Sequence, residues 1–215
     1  MRAQPRTKWR AAALAVAVVA GATACSTSRA ADPGGAAPSS AGASASASPD
    51  AASGEKDSSF YAPQVRASAQ RAGVSPQLLM AILYNESYKP HDPAFQRSWQ
   101  KIKKDAAFGI VNMHKAAFDE TKQGRPFAHR DWEELPDDPA LAVEAAAWFL
   151  HDLARQLPAD RPGTYTKDEL LALGYNTGAG NMAAFARGAR PGSQAQSYLD
   201  RLHANWDKAG EAVRG

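Results

Sequence analysis

Residues 75–87 read SPQLLMAILYNES, and the rest of the chain is organised around them. Ser75 is a strong N-cap, and Pro76 falls at the first helical position, where its missing N–H costs nothing. At about 100° per residue, Leu79, Ile82 and Leu83 form one apolar stripe. Glu86 falls about 20° from Leu79, inside that stripe. A carboxylate there is costly to ionise, so its pKa is expected to rise. A raised carboxyl pKa is what a general acid needs near neutral pH. The same position also suits a glutamate that snorkels to water or pairs with an arginine, and the helix alone does not separate these readings.

The chain has 215 residues, 44% hydrophobic and 22% charged, unevenly spread. Residues 1–56 are a leader and a tail of small residues, which leaves 57–215 for one domain. A domain of that size buries roughly 70% of its unfolded surface and needs no staple. Arg2, Arg6, Lys8 and Arg10 precede an apolar run at 11–24. This is a secretory signal pattern at 1–24, with a run too short for a transmembrane helix. It ends in Ala22-Thr23-Ala24-Cys25. That resembles a bacterial lipobox, with Ala22 where leucine is preferred, and implies lipidation of Cys25. Cys25 is the only cysteine, so neither an intramolecular disulfide nor a cysteine hydrolase site is available.

Residues 26–56 are Ala, Ser, Gly and Pro with few apolar anchors, and read as a flexible linker, 25–56, starting at the anchored cysteine. The expected location is extracytoplasmic, anchored to the cell membrane and facing the cell wall. The formal charge of +3 comes partly from the leader: without its four basic residues the balance is 21 basic against 22 acidic. The mature chain offers no global electrostatic case for nucleic-acid binding.

In the domain, 58–72 reads as a helix with Val65, Ala69 and Ala72 on its apolar face and Gly73 as its C′ residue. The stretch 88–105 begins as a loop, and Phe95, Trp99 and Ile102 suggest a short helix or a lid. Lys101, Lys103 and Lys104 cluster there, as an anionic-polymer contact or simply a solvated face. Asp138-Pro139 opens an Ala-rich helix over about 140–157, with Leu141, Ala145, Trp148, Phe149 and Leu153 inward. Thr166 and Glu169 have capping-box spacing, so a helix starts near Lys167. Three glycines in 174–180 are expected to stop it at Gly174. A short helix at 181–187 follows, then a last one capped by Ser193 with Tyr198, Leu199, Leu202 and Trp206 inward. The class is mainly α, with little or no sheet.

The five histidines show no metal-ligand spacing, and no phosphate or dinucleotide loop is present, so neither metal nor cofactor is expected. Three features remain, in order. Asn85-Glu86-Ser87 ends the first quoted helix. Gly109-Ile110-Val111-Asn112 follows, and Tyr175-Asn176-Thr177-Gly178-Ala179-Gly180 comes last. Their order and intervals resemble lysozyme-like lytic transglycosylases, whose matching segments are Glu-Ser, Gly-Leu-Met-Gln and Tyr-Asn-Ala-Gly-Pro-Gly. The resemblance spans roughly 60–206.

It implies a lysozyme-like helical domain with a groove for the glycan strand of peptidoglycan. Glu86 would be the single catalytic acid/base, with Ser87, Gly109, Asn112, Met113, His114, Tyr175 and Asn176 around the substrate. The carboxyl would protonate the oxygen between N-acetylmuramic acid and N-acetylglucosamine, then take the proton of the muramyl 6-hydroxyl. The product would be a 1,6-anhydromuramyl end. The expected partners are peptidoglycan strands and, through the lipid, a membrane; the expected state is a monomer.

Asn112 stands where the family has Gln, His114 where Met is common, and Ala179 where Pro is usual. The stretch 89–104 is longer than its family counterpart, and its Trp99 and lysines suit a lid over the groove. Two other functions fit the same residues. One is a hydrolytic muramidase, which wants a second carboxylate to hold water, with Asp92, Asp105, Asp119 and Glu120 as candidates. The other is a non-catalytic wall-binding lipoprotein that keeps the groove.

Overall fold

Local chemistry sets most helix starts. In the computed structural model, which describes residues 57–87 and 91–215, Ser75 Oγ accepts from the Leu78 N–H at 3.1 Å and opens α2, Pro76–Glu86. Before it, a 3-10 turn at Ser58–Tyr61 leads into α1, Ala62–Ala72, which Gly73 ends in the left-handed conformation. Asp92 caps α3, Pro93–Gln100. Asp138 caps α5, Pro139–Arg155, and Thr166 with Glu169 forms the expected capping box of α6, Lys167–Thr177. The signal segment, Cys25 and the linker lie outside the described residues.

The sheet is a two-residue ladder, β1 Ala107–Phe108 antiparallel to β2 Met113–His114, with Phe108 opposite Met113. It runs directly into α4, Lys115–Thr121. A 3-10 turn at Trp132–Glu134 buries Trp132, whose indole N–H donates to the Met113 carbonyl at 2.9 Å. The chain closes with α7, Ala179–Ala186, and α8, Ser193–Val213. The fold is mainly α, as its residues predict.

Three details differ from the sequence reading. First, α2 is not an amphipathic surface helix: every residue from Leu78 to Glu86 is buried. α1, α6 and α8 pack around it, so its whole circumference is apolar interior. Second, α6 does not stop at Gly174 but runs to Thr177. A Cβ on Gly174 would lie 2.8 Å from Met182 Sδ, so this glycine lets α7 close onto α6. The roughly 1 kcal/mol that a mid-helix glycine costs is offset by that packing. The break falls at Gly178, at φ 87°, which accepts no Cβ comfortably and serves both helix ends. Third, Ser193 is the first residue of α8, preceded by Gly192 with no side-chain cap. Trp148, Phe149 and Trp206 are partly buried, packed against the core rather than within it.

Candidate active site

Because α2 is buried on all sides, its last residue has nowhere polar to go except toward other side chains. Glu86 is 6% exposed. Both of its carboxyl oxygens accept hydrogen bonds. The Tyr198 hydroxyl donates to Oε1 at 3.1 Å, and Asn112 Nδ2 donates to Oε2 at 3.0 Å. The same Asn112 amide also reaches the Glu86 backbone carbonyl at 3.2 Å.

The two donors arrive from different kinds of structure. Tyr198 projects from the buried face of α8 and is 1% exposed. A polar lattice holds α8 there: Asn85 Nδ2 donates to the Tyr198 carbonyl at 3.0 Å, and Asn205 Nδ2 donates to Asn85 Oδ1 at 2.9 Å. Asn112 sits in the turn between β1 and β2 at φ 47°, a left-handed conformation that asparagine tolerates better than most side chains. From that turn its short side chain reaches Glu86 directly.

Tyr175 does not bond to Glu86. Its hydroxyl donates to the Val111 carbonyl at 2.8 Å, and its ring packs edge-on against Phe149. It therefore braces the turn that carries Asn112. Burial first, and then the negative charge of Glu86, hold both Tyr175 and Tyr198 well above the ordinary tyrosine range. Both stay protonated donors at any working pH.

A cavity of about 250 Å³ adjoins this cluster, lined by Asn112, Met113, His114, Phe149, Tyr175 and Asn176 among others. Asn112 belongs to both the cavity wall and the Glu86 clamp. His114 is exposed and its Nδ1 lies 2.7 Å from the Asp105 carbonyl. Asn176 is an exposed residue in the last turn of α6. Two expected site residues lie off this cavity. Ser87 caps α2, its hydroxyl donating to the Tyr84 carbonyl at 2.8 Å, and lines a separate cavity of about 480 Å³. Gly109 is buried at φ 73°, where a Cβ would stand 3.0 Å from the Leu135 carbonyl oxygen. Its role is close backbone packing.

Of the candidate second carboxylates, Asp92 is used as the cap of α3, its Oδ1 accepting from the Phe95 N–H at 2.6 Å. Asp119 pairs with Lys115 at 2.8 Å and Lys122 at 3.6 Å. Asp105 and Glu120 are exposed. Within the long stretch after Ser87, Phe95 and Trp99 stack with both rings exposed, and Arg97 pairs with Asp137. Lys101, Lys103 and Lys104 are solvated.

A protein-family model described as "Transglycosylase SLT domain" matches residues 63–199. The chain belongs to this family. No curated protein matched the chain. Family membership assigns a transglycosylase catalytic domain of lysozyme-like helical fold and peptidoglycan glycan as the substrate class. All three sequence features lie inside the SLT domain, and the fold brings Glu86, Asn112 and Tyr175 together.

Tyr198 is the site residue that motif reading misses. It stands 112 positions from Glu86, on a helix whose other inward residues are plain core. One signal points to it: a tyrosine rather than a phenylalanine on a fully inward face needs a partner for its hydroxyl.

Proposed function

We propose that the domain is a peptidoglycan lytic transglycosylase that uses Glu86 as its single acid/base. The observation that carries the reading is a buried carboxyl held at both oxygens, one of them by Asn112, which with Tyr175 and Asn176 also lines the adjoining cavity. Glu86 in its acid form donates a proton to the oxygen leaving from muramic acid. The carboxylate so formed takes the proton of the muramyl 6-hydroxyl as that oxygen closes on the anomeric carbon. One glycosidic bond breaks and one intramolecular glycosidic bond, from O6 to the anomeric carbon, forms, with no water consumed. Tyr198 and Asn112 hold the carboxylate between the two proton transfers, a charge that burial alone would disfavour.

The hydrolytic alternative wants a second carboxylate to position water. The engagement of Asp92 and Asp119 elsewhere, and the two neutral donors on Glu86, favour the anhydro product. Mass spectrometry of digested peptidoglycan tests this directly. Anhydromuramyl ends are expected; reducing muramyl ends would indicate a muramidase, and intact glycan a binding protein.

The lipobox-like Cys25 and the small-residue linker support an anchored, extracytoplasmic domain facing the wall. Replacing Cys25 with Ala is expected to move the protein from the membrane fraction to the medium. Unchanged partition would exclude the anchor.

A further inference from the structure

Between Glu86 and the Asn112 turn lies α3. Of α3's own residues only Gln96 and Gln100 are buried, an unusual choice for a helix that touches the interior. Gln96 Oε1 accepts the Gly109 N–H at 2.8 Å. Gln96 Nε2 lies 3.1 Å from His91 Nδ1, and His91 Nε2 lies 3.2 Å from the Glu86 backbone carbonyl.

Among the hydrogen bonds of the described residues, donor and acceptor rules allow one consistent proton arrangement for this series. A backbone N–H only donates, so the oxygen of Gln96 must face Gly109 and its amide nitrogen must face His91. That nitrogen only donates, so His91 Nδ1 must be the unprotonated acceptor. His91 is then neutral, with its proton on Nε2, aimed at a carbonyl that only accepts. An imidazolium would set an N–H against an NH₂ group.

The carbonyl reached is that of the proposed acid. The final carbonyls of a helix lack intrahelical partners, and that of Glu86 accepts from His91 on one strand of chain and from Asn112 on another. The Gly109 N–H that Gln96 holds opens the turn bearing Asn112. Gln96 thus ties both donors of the Glu86 peptide into one frame.

We propose that His91 and Gln96 are positioning residues for Glu86: Gln96 selects the neutral Nε2–H form of His91, which fixes the C-terminal peptide of α2 relative to the Asn112 turn. The catalytic half of this statement rests on the transglycosylase reading; the hydrogen-bond half does not. Among the described residues, the charged groups near His91 include Glu86 on α2, Asp92 on its own segment, and Asp57 and Lys208 across the cavity it lines. None of them substitutes for Gln96 at Nδ1 in the arrangement above.

The decisive measurement is the ¹⁵N chemical shifts of the His91 ring in the full chain at neutral pH. An Nε2–H tautomer is expected, and an Nδ1–H tautomer or an imidazolium would overturn the proposal whatever the enzyme's activity. Gln96→Leu is expected to release the tautomer preference and lower kcat on soluble glycan strands at least roughly tenfold, with KM little changed. Gln96→Glu keeps an acceptor for Gly109 and presents a second acceptor to Nδ1. His91 should then carry both ring protons at neutral pH. A merely structural Gln96 would leave the ring shifts unmoved in both variants, and that result would also overturn the proposal. If wild type cleaves no peptidoglycan, the ring shifts still decide the hydrogen-bond half.

Discussion

Glu86 is held from two sides that are built differently. On one side, α8 lies along α2 through apolar packing and the Asn85 hydrogen bonds, and Tyr198 is locked into it beyond the reach of water. On the other, Asn112 stands in a four-residue excursion between two-residue strands, half-exposed on a cavity wall and held by the polar bonds that Tyr175 and Gln96 make to its turn. The difference predicts a division of labour. Loss of a donor that water cannot replace leaves an unsatisfied buried carboxyl and costs stability. Loss of a donor at a cavity wall admits water in its place and costs orientation instead.

The largest effect comes from changing the residue on which both sides converge. Glu86→Gln cannot donate or accept the catalytic proton, and cleavage is expected to fall at least roughly a thousandfold. Stability should stay within about 0.5 kcal/mol. The new amide oxygen can accept from Asn112, and its nitrogen can donate to the Tyr198 oxygen, which serves in either role. A folded variant with unchanged cleavage would mean that the acid lies elsewhere. An unfolded one would mean that Glu86 is structural.

The comparison itself is tested by removing one donor at a time. Asn112→Gly keeps the left-handed turn and deletes the amide; activity is expected to fall about tenfold or more, with little change in melting. Tyr198→Phe is expected to cost about 1–3 kcal/mol in denaturant unfolding. It should also move the activity profile to higher pH, because a carboxylate that loses a donor is harder to form. If the two variants exchange these phenotypes, the division between a rigid side and a wet side fails.

The smallest effect probes the α8 side away from Glu86. Glu169 on α6 is pushed up by burial, but the Thr166 N–H and hydroxyl and His203 on α8 together hold its pKa below the ordinary range. Folding therefore favours the carboxylate. Its contribution is present above the unfolded value of about 4.3 and fades as pH falls through the lower folded value. Thr166→Ala is expected to remove about 1 kcal/mol at neutral pH and to flatten the acid limb of the stability curve, with cleavage unchanged. A loss of cleavage here would show that α6 and α8 transmit strain to the site.

The helices were largely legible because their signals are local. Ser75, Asp138 and Thr166 cap where their spacing says, and Gly73 ends α1 as a left-handed residue. The misreadings have a common origin in packing. Gly174 looks like a breaker until Met182 is seen against it. The apolar stripe of α2 looks like one face until α1, α6 and α8 are seen to surround the helix.

The residue sequence by itself determined the class, the capped helix starts, the candidate acid and the three segments that carry the family pattern, since each depends on types at short spacing. Only the tertiary structure decided who touches Glu86. Tyr198 and Asn112 come from 112 and 26 positions away, and His91 and Gln96 from the segment between the first two motifs. Hydrogen bonds act over about 3 Å and record nothing in the chain's linear order. Their partners become readable once burial has removed water as the competing donor.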